Sequence, residues 1–185
     1  MKITKIAIIL LFLALVYFWG VYAIRTVYPL KYYALISEAA QKYGLELSFV
    51  CGLIHTESRF DANAVSGKNA SGLMQLTKST ADWGASEIGI ENYSYDNILT
   101  PDINIELGCW YISKLINQYG DESVALAAYN GGSGNVDRWL ADKKTSSDGK
   151  TLQSVPFKET QTFIERVGKS EKIYNYLLKF KNYIY

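Results

Sequence analysis

The chain has 185 residues, 19 of them basic and 18 acidic, for a formal net charge of +1. That balance excludes a partner held by a global field, so no nucleic acid is expected and any polymeric ligand has to be read from a site. Two cysteines and a single histidine are too few for a structural zinc centre, and neither a metal nor a cofactor is expected.

Residues 6–24 form an almost unbroken apolar run behind Lys2 and Lys5. At roughly 1.5 Å per residue the run matches a hydrocarbon core of about 30 Å. Val21-Tyr22-Ala23 offers a small-residue cleavage site for a signal peptide, whereas the bulky Trp19 and Tyr22 suit a membrane interface. The expectation is an uncleaved anchor over residues 1–29. Arg25 and Lys31 follow the run, so charge alone does not orient it. Residues 30–185 are enough for one domain with a sizeable core and too few for two comfortable ones.

Leu35, Ile36, Ala39, Ala40 and Tyr43 recur at helical spacing and stop at Gly44, and a second helix begins near Leu47. In it Val50, Leu53 and Ile54 precede Glu57 by seven, four and three residues, which puts the acid on their apolar face. A carboxylate facing a core is costly unless paired or protonated, so the pKa of Glu57 should be raised. A general acid working near neutral pH needs that property. A buried structural ion pair would also perturb it. His55 lies roughly 200° around the same helix and faces away.

A turn-rich stretch over residues 61–72 leads into Leu73-Met74-Gln75-Leu76. Connections of that length in compact domains are usually functional. Thr100-Pro101 starts a helix whose stripe of Ile105, Cys109, Ile112, Leu115, Ile116 and Tyr119 ends at Gly120. Asp121 caps the next helix, which is apolar all round over residues 124–129, hence buried, and halts at Asn130-Gly131-Gly132. Residues 142–154 read as a mobile polar loop, followed by helices over about 158–167 and 170–183. No alternating strand pattern is found. Cys51 and Cys109 sit in apolar helical contexts, as packed thiols or as a bridge.

Several blocks resemble, in order, the signature of lytic transglycosylases of the soluble-lytic-transglycosylase type, lysozyme-like enzymes of bacterial cell walls. They are Glu57-Ser58-Arg59-Phe60, Ala64-Val65-Ser66 and Gly72-Leu73-Met74-Gln75-Leu76. Asn104-Ile105-Glu106-Leu107-Gly108, Ala127-Ala128-Tyr129-Asn130-Gly131-Gly132 and Val155-Pro156-Phe157-Lys158-Glu159-Thr160 extend the match over nearly everything after the anchor. The resemblance implies an all-α class, a mostly helical domain with the α+β character of lysozyme, whose groove binds peptidoglycan glycan strands. It implies Glu57 as sole catalytic acid and base, and Ser66, Gln75, Tyr129, Asn130 and Glu159 as groove residues. Each groove residue also has a plainer reading. Ser66 can cap a turn, Gln75 can satisfy backbone groups, Glu159 can complement a helix dipole, and Tyr129 and Asn130 can pack and stop a helix.

The chain departs from the family at Asn69, where glycine is frequent; asparagine tolerates left-handed angles, so the turn can survive. Thr77 and Lys78 stand where the family commonly has Met and Pro, and Gln161 and Phe163 replace the usual Arg and Tyr. The implied reaction cleaves the β-1,4 bond from N-acetylmuramic acid to N-acetylglucosamine and leaves a 1,6-anhydromuramoyl end. A peptidoglycan substrate implies a single-pass membrane protein with its domain outside the cytoplasm. The alternatives are a goose-type lysozyme-like hydrolase and a catalytically weak, membrane-anchored glycan-binding module. No protein partner is indicated.

Overall fold

The computed structural model describes residues 2–91 and 93–185, with side chains from residue 5 onward. The side chain of Lys2, invoked for the cytoplasmic end of the anchor, lies outside them, as do Met1 and Asn92. Helix α1 runs Lys2–Val27, about 39 Å at the usual rise. Its residues 5–27 are long and apolar enough to cross a membrane, and large side chains from Ile6 to Tyr22 stand exposed along it. Among the described residues eight further helices follow: α2 Tyr33–Lys42, α3 Leu47–Ser58, α4 Lys78–Ile88, α5 Pro101–Tyr119, α6 Glu122–Gly131, α7 Ser133–Ala141, α8 Lys158–Lys179 and α9 Lys181–Ile184. A 3₁₀ turn occupies Tyr95–Asn97. Among the described residues there is no strand, only isolated antiparallel bridges from Ser71 to Val65 and to Leu76.

The core is built around α3, where Phe49, Val50, Leu53 and Ile54 are buried. Its most extensive packing is against α8. Gly52 makes this possible, because a Cβ there would lie 2.7 Å from the backbone nitrogen of Glu171. Residues Val124 to Ala128 of α6 are buried as their composition predicts. The Asp121 carboxylate accepts from the Val124 amide at 2.9 Å and so caps α6. Thr100 makes no side-chain cap, which leaves the start of α5 to the fixed φ of Pro101. Cys51 and Cys109 are separate buried thiols in the core, and burial pushes the Cys51 thiol up to about 12.

Two expectations require correction. The two helices over 158–167 and 170–183 are one helix, α8, with α9 as a short final turn. Phe163, Val167, Ser170, Tyr174 and Leu177 form an unbroken buried stripe, and this tertiary contact carries the helix through Gly168 against its low propensity. Residues 142–154, read as mobile, are tied down. Thr145 and Ser146 are buried, the Thr145 hydroxyl donates to the Trp139 carbonyl, and the Asp148 carboxylate accepts from the Lys150 and Thr151 amides at 2.8 Å.

Candidate functional site

Glu57 lies in the last turn of α3. The helix stops because Arg59 and Phe60 both take left-handed angles, with φ of 53° and 64°. For side chains other than glycine that costs roughly 1–2 kcal/mol each, offset here by Phe60, which is 1% exposed in the core. The reversal sends the next residues back over the end of α3. There the Ser58 hydroxyl donates to the Leu73 carbonyl at 2.8 Å. Asp61 is exposed and accepts from the Asn63 amide, so it shapes the turn and does not join Glu57.

The returning loop is held from below by Asn104, which is wholly buried on α5. Its Oδ1 accepts from the Met74 amide at 2.7 Å, and its Nδ2 donates to the Ser71 and Ile98 carbonyls at 3.0 Å. Gly72, at φ 81°, lies against this amide, where a Cβ would come within 2.2 Å of Nδ2. Gln75 takes φ 48° and its Nε2 donates to the Ala64 and Gly72 carbonyls at 3.0 and 2.8 Å. Ser66 Oγ accepts from the Ala70 amide, and Asn69 has the left-handed φ of 57° that replaces the family's glycine. The Tyr95 hydroxyl closes the loop from outside, donating to the Asn69 carbonyl and Ser71 Oγ at 3.1 Å.

The Tyr129 hydroxyl donates to the Met74 carbonyl at 2.7 Å, and its ring lies between Tyr111 at 5.2 Å and a parallel Phe163 at 6.5 Å. Asn130 Oδ1 accepts from the Thr160 hydroxyl at 2.8 Å, next to Glu159. Glu159 in turn receives Lys68 Nζ at 2.8 and 3.0 Å across to the loop. The end of α6 therefore touches both walls, and the exposed Lys68–Glu159 pair links them. Beside it a trough follows the loop. One hollow of about 590 Å³ reaches Lys68 and Asn69, and another of about 620 Å³ shares Lys78, Asp82 and Tyr95 with it. Glu57 lines neither hollow.

Glu57 is partly accessible, yet burial pushes its carboxyl up to about 8, with Arg166 on α8 pulling the other way. No carboxylate is among the groups that act on it, and among the described residues its carboxyl has no protein hydrogen bond. Burial raises Tyr129 as well, and the charge of Glu57 adds to that rise. The structure thus brings Glu57, Tyr129 and the Gln75 loop together. It joins Asn130 to Thr160 and Glu159 to Lys68, and it leaves Ser66 engaged in its own turn. Among the described residues no cluster of three or more His, Cys, Asp or Glu could hold a metal ion. Arg166 and Asn104 were not singled out from sequence as site residues. A signal for Asn104 existed, since a polar residue four before Gly108 and seven before Tyr111 lies on a buried helical row.

A helical domain that presents one acid at the end of a buried helix, beneath a loop folded back over it, defines the lysozyme-like class. The chain belongs to the Transglycosylase SLT domain family, whose model matches residues 34–152. Glu159, Phe163 and Arg166 fall beyond the matched residues. The chain is 32% identical over 82% of its length to membrane-bound lytic murein transglycosylase C of Serratia proteamaculans, covering 45% of that protein. It is 29% identical, again over 82% of its length, to soluble lytic murein transglycosylase of Escherichia coli K12, covering 24% of it. An inactive Glu-to-Gln mutant of the lytic transglycosylase Slt from Pseudomonas aeruginosa superposes with a TM-score of 0.76 at 33% identity, over 84% of this chain and 26% of that one. The 70 kDa soluble lytic transglycosylase of Escherichia coli gives 0.73 at 28% identity, over 82% and 25%. The chain therefore spans less than half the length of these relatives.

Proposed function

We propose that the protein is a membrane-anchored lytic murein transglycosylase with Glu57 as its only acid and base. The observation that carries this reading is a single part-buried carboxyl in the last turn of α3, pushed up to about 8 by burial with no second carboxylate acting on it, in a chain of this family. Hydrolysis by the usual route uses two carboxyl groups, about 5–5.5 or 6.5–9.5 Å apart. A single protonated acid fits a different sequence of steps. Glu57 gives its proton to the glycosidic oxygen, the bond to the muramoyl anomeric carbon breaks, and N-acetylglucosamine leaves as the alcohol. The sugar's own N-acetyl group stabilises the electron-poor carbon. Glu57, now ionised, takes the proton from the muramoyl 6-hydroxyl as that oxygen bonds to the anomeric carbon, closing the 1,6-anhydro ring and regenerating the acid. No water is consumed. An attached, well-oriented hydroxyl can act at an effective molarity of about 10⁵ M or more, which lets it outrun water.

In this reading Gln75, Tyr129 and Asn130 line the groove nearest the acid, with Ser66 and Glu159 further along it. Phe163 stacks under Tyr129 and acts by holding that ring, since it has no hydroxyl to offer. The Pseudomonas Slt described as an inactive Glu-to-Gln mutant and the membrane-bound Serratia relative support one essential glutamate and an anchored enzyme. Helix α1 is the anchor, with the domain outside the cytoplasm. Mass analysis of products from purified peptidoglycan tests the reaction. Anhydromuramoyl ends, one water lighter than hydrolytic ends, are expected; hydrolytic ends would establish the lysozyme-like alternative, and no cleavage would leave a glycan-binding module. Protease added to spheroplasts should digest the domain, and protection would overturn the topology.

A further inference from the structure

A further hollow lies where α1 meets the domain, and Arg166, which acts on Glu57, is among its lining residues. It encloses about 520 Å³, and its walls come from residues 26–28 at the end of α1, from α3 through His55, from Arg59 beyond it, and from Arg166 and Lys169 on α8. No acid lines it. Arg59, Arg166 and Lys169 are exposed, and none forms an ion pair among the described residues. Three cations facing one space repel one another and, with the Glu57 carboxyl beside Arg166 held neutral by burial, favour an anion between them.

The walls are fixed. His55 Nε2 bonds the Val27 carbonyl at 2.9 Å and its Nδ1 meets Ser170 Oγ at 3.1 Å, while Tyr28 stacks on its ring at 4.8 Å. The carbonyls at the foot of α1 would repel an anion, but those of Val27 and Tyr28 are occupied by His55 and by the Tyr185 hydroxyl. On the anchored reading, on which this inference rests, residues 26–28 stand at the bilayer surface and the hollow opens at the level of lipid phosphates.

We propose that this hollow binds the phosphodiester of an anionic phospholipid in the leaflet from which α1 emerges. The lipid supplies the missing charge and its chains lie along α1. The test uses the full chain in non-ionic detergent and counts retained short-chain phosphatidylglycerol or phosphatidylcholine by native mass spectrometry, with inorganic phosphate as a competitor. One phosphatidylglycerol per chain should be held about tenfold or more in preference to phosphatidylcholine, given what each basic residue contributes near an anionic headgroup. The R59Q/K169Q double variant should lose that preference and R59K/K169R should keep it, with thermal melts confirming that each is folded. Equal retention of the two lipids by the wild type, or an unchanged preference in a folded R59Q/K169Q variant, overturns the proposal. Displacement of phosphatidylglycerol by phosphate at matched concentration also overturns it, in favour of a free-anion site. If the double variant does not fold, the wild-type preference and the phosphate arm still decide. The anchor itself is read separately, by carbonate extraction and the mass of the N-terminus. Release, or a start after Ala23, would sink the anchored reading without touching the detergent result.

Discussion

His55 and Glu57 stand two residues apart on α3, roughly 200° around the helix from one another, and burial treats them alike. Desolvation lowers the imidazole, helped by Arg59 and Arg166, and raises the carboxyl. Near pH 7 both are therefore held in their neutral forms. The two neutral groups serve different ends. His55 is locked between α1 and α8 by hydrogen bonds through both ring nitrogens, whereas the Glu57 carboxyl has no hydrogen-bond partner among the described residues. A titratable group beside a pocket is thus not by itself a sign of chemistry; what distinguishes the acid is that nothing in the fold uses it up.

The largest test of that contrast is activity. Glu57→Gln should cut cleavage of purified cell walls by about 10²–10⁴-fold, because the amide keeps the shape but cannot give and retrieve a proton. Retention of a tenth of wild-type activity would show that the acid lies elsewhere. Next comes the helix that carries both residues. Gly52→Ala drives a methyl group into the Glu171 backbone and should destabilise the domain by about 1–3 kcal/mol in urea unfolding; no change would mean that α3 and α8 are less closely packed than described.

Glu57 and His55 should also pull stability in opposite directions with pH. The Glu57 carboxyl is raised in the fold, so as pH climbs from the unfolded value of about 4.3 the unfolded chain releases this proton first and stability falls, levelling once pH passes about 8. Glu57→Gln should accordingly raise the melting temperature at pH 8 by several degrees and change it little at pH 4. Activity should decline as pH rises through about 8. A Gln variant no more stable than wild type at pH 8 would remove the desolvated acid. The smallest expected effect is at His55. Its neutral form is favoured in the fold, so the stability it adds is present above the unfolded value of about 6.5 and lost on acidification. His55→Gln should flatten the melting curve between pH 5 and 7, cost about 1 kcal/mol at neutral pH, and leave turnover unchanged. A large loss of turnover would bring His55 into the chemistry.

Much of this arrangement was legible in the sequence because it rests on local periodicity. The apolar rows of α2, α3, α5 and α6 repeat at helical spacing, and an acid on such a row betrays Glu57 without any partner. Helices held by small residues were harder to see. In α4 the buried positions are only Ala81, Gly84 and Ala85, which pack on Leu107 and Trp110 of α5, and α7 has just Val136 and Trp139. Neither shows a stripe. The break expected at Gly168 failed for a related reason, since helix propensity is local and the α3 contact is not. Lys68 acts through its pairing with Glu159 and Arg166 through its nearness to Glu57, both between distant segments, and no spacing within one helix announces those. Asn104 carried a signal as a polar residue on a buried row, but of its three partners Met74 and Ser71 belong to a loop that only the folded chain brings to it, and Ile98 to the segment just before α5.

On the proposed reading of the chain as an anchored enzyme acting on glycan strands, the junction after α1 has a further consequence. Within three residues the Val27 carbonyl is taken by His55, that of Tyr28 by Tyr185 and that of Pro29 by Tyr174 at 2.8 Å. A domain joined this way stands on a mast instead of a tether. Its reach above the bilayer is set by the protein's own dimensions, so it cannot range through the thickness of a wall. It would patrol one layer of glycan at constant height, and lateral diffusion in the membrane would be its means of meeting new strands.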